Sequence, residues 1–285
     1  MNWEIKKLTS GNFPPQLLEI PQPPKELFIV GEFPKETTFL AVVGSRKYTT
    51  YGKEACEKLI EGLRGYPIVI VSGLALGIDS IAHKKALDVG LTTIAFPGSG
   101  LRPEVLYPRT NYELGKNIVK SGGCLISEFE PDFRAQDFAF PARNRLMAGL
   151  SKAVLVIEAE EKSGTLITTR LAVDYNRDVY AVPGSIFSAN SKGTNRLIRN
   201  GATPVTNSEE ILDALGFNVT QKLPLQLDVS PAEKEILDLL IEPRGRDEIV
   251  RGLGKPANEV NTLLTVLEIK GIVKEMLGKI RRVDS

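Results

Sequence analysis

Phe39-Leu40-Ala41-Val42-Val43-Gly44-Ser45-Arg46 is an unbroken apolar run that stops on a small, polar, cationic turn, and Ile68-Val69-Ile70-Val71-Ser72-Gly73 repeats the punctuation. A strand that is apolar at every position is buried on both faces, as in a parallel sheet covered by helices. Outward from these two, apolar runs at 92–96, 124–127, 153–157, 179–182 and 203–205 complete a set of candidate strands. Amphipathic segments at 51–63, 78–87, 111–119, 142–150, 166–175 and 209–215 lie between them. Alternating strands and helices predict an α/β fold: an extended Rossmann-like, mostly parallel sheet with helices on both faces.

The flanks read differently. Residues 13–34 carry Pro14, Pro15, Pro21, Pro23, Pro24 and Pro34 and show no sustained period, so 1–38 is expected to pack on the main domain as an arm. The main domain is expected over 39–220, a linker over 221–228, and a small domain over 229–285. Ser230-Pro231-Ala232-Glu233 is an N-cap and first turn for a helix expected to run to Ile241. Helices at 247–252 and 256–270 and a hairpin-like piece at 272–283 follow, an order that resembles a winged helix.

Of the 285 residues, 42% are hydrophobic and 25% charged, which excludes disorder, collagen and coiled coil. The formal net charge of +1 leaves no global field, so any nucleic-acid site must be a local patch. Cys56 and Cys124 make no disulfide framework and have no metal spacing to the single histidine, His83. No leader pattern opens the chain and no apolar run nears the ~18 residues that span a bilayer, so cytoplasmic residence with no membrane, metal or cofactor is expected.

Glycines punctuate the strand ends: Gly44-Ser45-Arg46, Ser72-Gly73-Leu74-Ala75-Leu76-Gly77, Pro97-Gly98-Ser99-Gly100, Lys162-Ser163-Gly164-Thr165 and Pro183-Gly184. In a parallel sheet these turns share one edge, where helix-opening amides bind anions and glycine allows a phosphate close. The plain alternative is that each is a tight connection. No G-x-G-x-x-G and no G-x-x-x-x-G-K-[ST] occurs, which argues against a dinucleotide site and a Walker ATPase. Phe138-Ala139-Phe140-Pro141-Ala142-Arg143-Asn144-Arg145 combines rings that stack bases with arginines that bind phosphates; the alternative is a core pair and salt bridges. Asp79 is expected to cap its helix and to pair with His83 one turn on. Glu128, Glu130, Glu158 and Glu160 are expected at strand ends or in solvent. No nucleophile, base and orienting group can be assembled.

Gly44-Ser45-Arg46, the run Ser72 to Asp79, Phe140-Pro141-x-Arg143-Asn144-Arg145, Ser163-Gly164-Thr165-Leu166-Ile167-Thr168 and Lys192-Gly193-Thr194-Asn195, in that order, resemble the DNA-processing protein A (DprA, Smf) family. The resemblance spans about 13–215, and the terminal segment resembles that family's winged helix. It implies a non-enzymatic homodimer that binds single-stranded DNA and loads the RecA recombinase during natural transformation. Carried over, Arg46, Ser72, Gly73 and Gly77 hold phosphates, Phe140 contacts bases, Arg143 and Arg145 line the groove, and Lys192 extends it. Gly44, Ser45, Gly98, Asn144, Lys162, Ser163, Gly164, Thr165, Gly193 and Asn195 complete the candidate set. Leu76 stands where family members often have arginine, which removes one phosphate contact. Two other readings are a lysine-decarboxylase-like phosphoribohydrolase, from which Pro97-Gly98-Ser99-Gly100-Leu101 departs at two turn positions, and a molybdenum-cofactor carrier. In the small domain, Asn258, Asn261 and Thr262 are candidates for facing bases, and Lys274, Lys279, Arg281 and Arg282 for wing contacts, with protein contact as the alternative.

Overall fold

A computed structural model describes residues 3–35, 37–217, 230–240, 242–270, 272–276 and 278–282, in two compact units, 1–218 and 219–285. The expected linker 221–228, Ile241 and Val283 lie outside the described residues.

In the first unit the chain runs β1 (Lys6–Thr9), α1 (Pro15–Leu18), β2 (Glu26–Gly31), β3 (Thr38–Val43), α2 (Thr50–Glu61), β4 (Ile68–Ser72), α3 (Ile78–Asp88) and β5 (Thr93–Ala95). It continues with α4 (Tyr112–Lys120), β6 (Cys124–Ser127), α5 (Ala139–Leu150), β7 (Ala153–Val156), α6 (Thr165–Asp174), β8 (Asp178–Ala181), α7 (Lys192–Arg199), β9 (Thr203–Pro204) and α8 (Ser208–Ala214). The nine strands form one sheet in the order β1-β2-β6-β5-β4-β3-β7-β8-β9. From β6 to β9 every pairing is parallel. The apolar runs become strands because both faces are covered: Phe39, Ala41 and Val43 meet Leu146, Met147 and Leu150 of α5, while Phe28, Val30, Ala95 and Leu125 belong to a second core with Leu114 and Ile118 of α4.

The arm corrects the sequence reading. Its apolar core, Leu27 to Val30, is β2, paired antiparallel with β6, and β1 adds outside it. Antiparallel addition needs no crossover helix, so the strand–helix alternation that flags the other strands is missing here. Prolines 21, 23, 24 and 34 flank β2 and none lies within it. α7 was also unforeseen: the Lys192-Gly193-Thr194-Asn195 motif is a helix start and not a loop.

The second unit contains α9 (Pro231–Leu239), α10 (Arg246–Leu253), α11 (Ala257–Ile269), β10 (Val273–Met276) and β11 (Lys279–Arg282), the strands paired as a hairpin. Ser230 caps α9 through a reciprocal pair, its Oγ accepting from the Glu233 N–H at 3.3 Å while the Glu233 carboxylate accepts from the Ser230 N–H at 2.5 Å. Ile236, Leu237, Leu240, Ile249, Val260, Leu264, Leu267, Val273 and Ile280 form its own core. Asn258 and Asn261 lend their carbonyls to the Thr262 and Thr265 hydroxyls on the exposed side of α11. Of the wing cations, Arg282 is tied to the Leu237 carbonyl, while Lys274, Lys279 and Arg281 are exposed.

Candidate nucleic-acid interface

The sheet reverses its winding between β3 and β7: β3 leads to β4 on one side, and β7 leads to β8 on the other. Loops leaving two such strands diverge, which opens a crevice at their carboxyl ends. A cleft of about 490 Å³ lies there. Its walls are the β3 loop (Gly44 to Lys47), the β7 loop and α6 start (Glu160, Lys162 to Thr165), and one face of α5 (Phe140, Arg143, Asn144, Met147).

Each wall has a local cause. Ser45 is buried, its hydroxyl accepting from the Lys47 N–H at 3.1 Å and donating to the Lys47 carbonyl at 2.9 Å, so the loop folds over and turns Arg46 and Lys47 outward. Glu158, just past the end of β7, is buried: its carboxylate accepts from the Thr49 N–H and hydroxyl, anchoring the start of α2. Ser163 accepts from the Thr165 N–H at 3.2 Å and opens α6, and Gly164 is exposed with free space where a Cβ would stand. Among the described residues Arg46, Lys47 and Lys162 are exposed and in no ion pair; the cleft's exposed acid is Glu160. The Arg46 guanidinium lies 5.2 Å from the centre of the half-buried Phe140 ring, which Tyr107 flanks at 5.7 Å.

Not every expected turn is open. A Cβ on Gly73 would fall 1.4 Å from Arg143 Nη1, and one on Gly98 would fall 2.5 Å from the Phe140 ring. Both glycines let α5 side chains lie against the backbone, and with Arg46, Tyr107, Phe140 and Arg143 they line a small recess of about 30 Å³. Ser72 is buried too, donating to the Val42 carbonyl at 2.7 Å, and Gly77 sits under the β3 loop, 2.3 Å from the Ser45 carbonyl by the same measure. The Pro97 to Gly100 turn, which departs from the phosphoribohydrolase pattern at two positions, is likewise buried.

The two arginines of α5 part company because residues two apart on a helix face opposite ways. Arg143 is buried at 7% exposure; it donates to the Phe96 carbonyl at 2.8 Å and faces the Asp79 carboxylate at 3.9 Å. Arg145 pairs with Glu128 away from the cleft. Asp79 does not cap α3, whose cap position is Gly77; its carboxylate accepts from the Gly73 N–H at 3.1 Å. Burial pushes the Asp79 carboxyl up, and Arg143 pulls it back. Arg143 and Asp79 thus lock the β4 and β5 loops to α5 and set the cleft's floor. Lys192 is exposed off the cleft wall, Gly193 donates to the Ala159 carbonyl, and the Asn195 amide bonds both backbone groups of Gly184. Lys47, adjacent to Arg46, is the cleft cation missed from the sequence; its neighbour was the available signal.

His83 does not pair with Asp79. Its Nδ1 lies 2.7 Å from the Thr93 hydroxyl, and burial, with Arg143 adding repulsion, lowers its pKa to about 3. The neutral ring is kept in the folded state while the unfolded ring titrates near pH 6.5, so stability is full above that pH and falls as pH drops toward 3. Between pH 7 and 5 a loss of about 2 kcal/mol is expected. Urea midpoints of the parent should fall over that span and those of His83→Gln should not.

Among the described residues no cluster of His, Cys, Asp and Glu is arranged to hold a metal, and no helix is long and apolar enough to cross a membrane.

An extended Rossmann-like sheet with a basic crevice at its winding reversal, followed by a winged helix, defines the class of protein. Within that class the chain belongs to the DprA/Smf family: residues 5–216 match the model of DNA recombination-mediator protein A, and 220–279 match the DprA winged helix domain. Protein Smf of Escherichia coli is 39% identical over 97% of this chain and 76% of its own length. The crystal structure of DNA processing protein A from Streptococcus pneumoniae aligns with a TM-score of 0.69 at 40% identity, over 74% of each chain. That of Helicobacter pylori DNA processing protein A, a structure addressing its single-stranded DNA binding mode, aligns with a TM-score of 0.66 at 32% identity over 75% of this chain and 96% of that one.

Proposed function

We propose that this protein is a non-enzymatic, cytoplasmic binder of single-stranded DNA that holds the strand in the cleft between the β3 and β7 loops. The observation that carries the reading is the set of three exposed cations without carboxylate partners, Arg46, Lys47 and Lys162, beside the Phe140 ring and the open start of α6. Phosphates meet the cations and α6 amides, and a base approaches Phe140. Asn144, Ser163, Gly164 and Thr165 line the path; Gly44 and Ser45 shape the loop; Ser72, Gly73, Gly77, Gly98, Arg143, Gly193 and Asn195 support it; Arg145 lies on the opposite side of α5. The relative from Helicobacter pylori supports the ligand class. Oligothymidine titrations over a salt series test the reading: tight binding that weakens as salt rises supports it. Absence of binding at low salt, or release of free base from a nucleoside monophosphate, overturns it.

Handing the strand to the RecA recombinase in natural transformation is the further role that family membership supports. We also read the protein as a homodimer. β9 is an edge strand with both residues exposed, and beside it α6 presents Val173 at 66% exposure over a groove containing Leu166, Val179, Leu197 and Ala202. Edge strands and exposed apolar faces are covered in stable assemblies. Val173→Asp is expected to convert the dimer to a folded monomer in sedimentation, with a urea midpoint no longer dependent on protein concentration; a dimer that survives excludes this face.

A further inference from the structure

The loop after β8 is braced at one end against the first turn of α2 and at the other against the first cleft loop. Tyr51 donates its hydroxyl to the Pro183 carbonyl at 2.6 Å, and the Asn190 amide donates to the Lys47 carbonyl at 2.6 Å. Between these ties Ile186 and Phe187 project into solvent, 77% and 92% exposed. They are held there: the Phe187 N–H donates to the Ser185 hydroxyl at 3.2 Å, and Ser188 N–H closes a turn on the Ser185 carbonyl at 3.0 Å. Tyr48 and Tyr51, both near half exposed, sit on the segment to which this loop is tied. Residues 45–51 and 183–192 contain Arg46, Lys47 and Lys192 and not one aspartate or glutamate. Among the described residues none of these three cations is in an ion pair.

Exposed rings interleaved with unpaired cations are what single-stranded nucleic acid needs, since each base offers a π-face and each linkage a negative charge. A basic or acidic protein surface would match only one half of that pattern. The patch is also continuous with the cleft through Arg46 and Lys47. We propose that Tyr48, Tyr51 and Phe187 form a second station for the strand beyond the cleft, bases stacking on the rings while Lys47 and Lys192 meet phosphates. This rests on the cleft reading and extends it: the groove takes the first nucleotides and the station takes those that follow.

The test compares a short oligothymidine of roughly 4 nucleotides with a long one of roughly 16, the range a single-strand site covers. Phe187→Ala is expected to weaken the long oligomer by roughly tenfold, the size of one lost base stack, and to leave the short one unchanged. In Phe187→Trp, whose added emission is read against that of Trp3, which packs on Tyr112, the added emission is expected to be quenched by the long oligomer only. Unaltered affinity of Phe187→Ala for the long oligomer, or unquenched emission while it is bound, overturns the station and leaves the cleft standing. A change in oligomeric state with DNA affinity intact also overturns it, assigning the loop to a protein contact. If the parent binds neither oligomer, cleft and station fall together.

Discussion

Arg143→Ala is expected to cost the first unit about 3–5 kcal/mol of stability, the usual penalty for removing one member of a buried ion pair. Asp79, at 6% exposure, would lose the guanidinium that pulls its carboxyl down, so at neutral pH it is left with an unpaired charge or must take up a proton, and the Phe96 carbonyl would lose its donor. The void above Gly73 adds a packing term. In a unit of this size the thermal midpoint should drop by roughly 10 °C. Asp79→Asn combined with Arg143→Met is expected to recover part of the loss, because no unpaired charge then remains. If Arg143→Ala instead kept the parent's stability and lost only DNA affinity, Arg143 would be a phosphate ligand and the locking role assigned to it would be wrong.

The second large effect is on binding. Arg46→Ala, Lys47→Ala and Lys162→Ala together remove the exposed cations of the cleft. Each contact to a charged phosphate is worth about 1 kcal/mol or more, so the triple variant should bind oligothymidine roughly 100-fold more weakly at low salt. The slope of log affinity against log salt should flatten by about 2, from roughly 0.7 counterions per neutralised phosphate on a single strand. Stability should stay within about 0.5 kcal/mol, since these side chains are exposed and in no ion pair. A parental slope in the triple variant would place the strand elsewhere on the molecule. The two experiments separate positioning from contact: Arg143 is expected to act through the fold, the other three on the ligand.

Particular residues show how far the sequence was readable. The strands from β3 to β7 were legible because burial on both faces leaves continuous apolar runs, and the α9 start because Ser230-Pro231-Ala232-Glu233 carries its capping geometry in local order. β2 was not, because its partner β6 lies almost a hundred residues on and no crossover helix announces the pairing. Arg46, Lys162 and Gly164, singled out from turn composition, line the cleft. At Gly73 and Gly98, read as phosphate turns, the structure lays α5 side chains against the backbone: glycine marks a close approach, and the identity of the approaching group is not written beside it.

The chain order of apolar runs and small-residue turns determined by itself that a parallel sheet would form and that its helix-opening turns would gather at one edge, since side-chain burial and turn geometry act over a few residues. Only the tertiary structure decided which turns stay open. That choice depends on where the sheet reverses its winding and on which face of α5 meets it: Phe140 and Arg143 cover two glycines, while Arg145, two residues further and so on the opposite side, pairs with Glu128. Contacts between residues dozens of positions apart fix that outcome, and no local pattern encodes them.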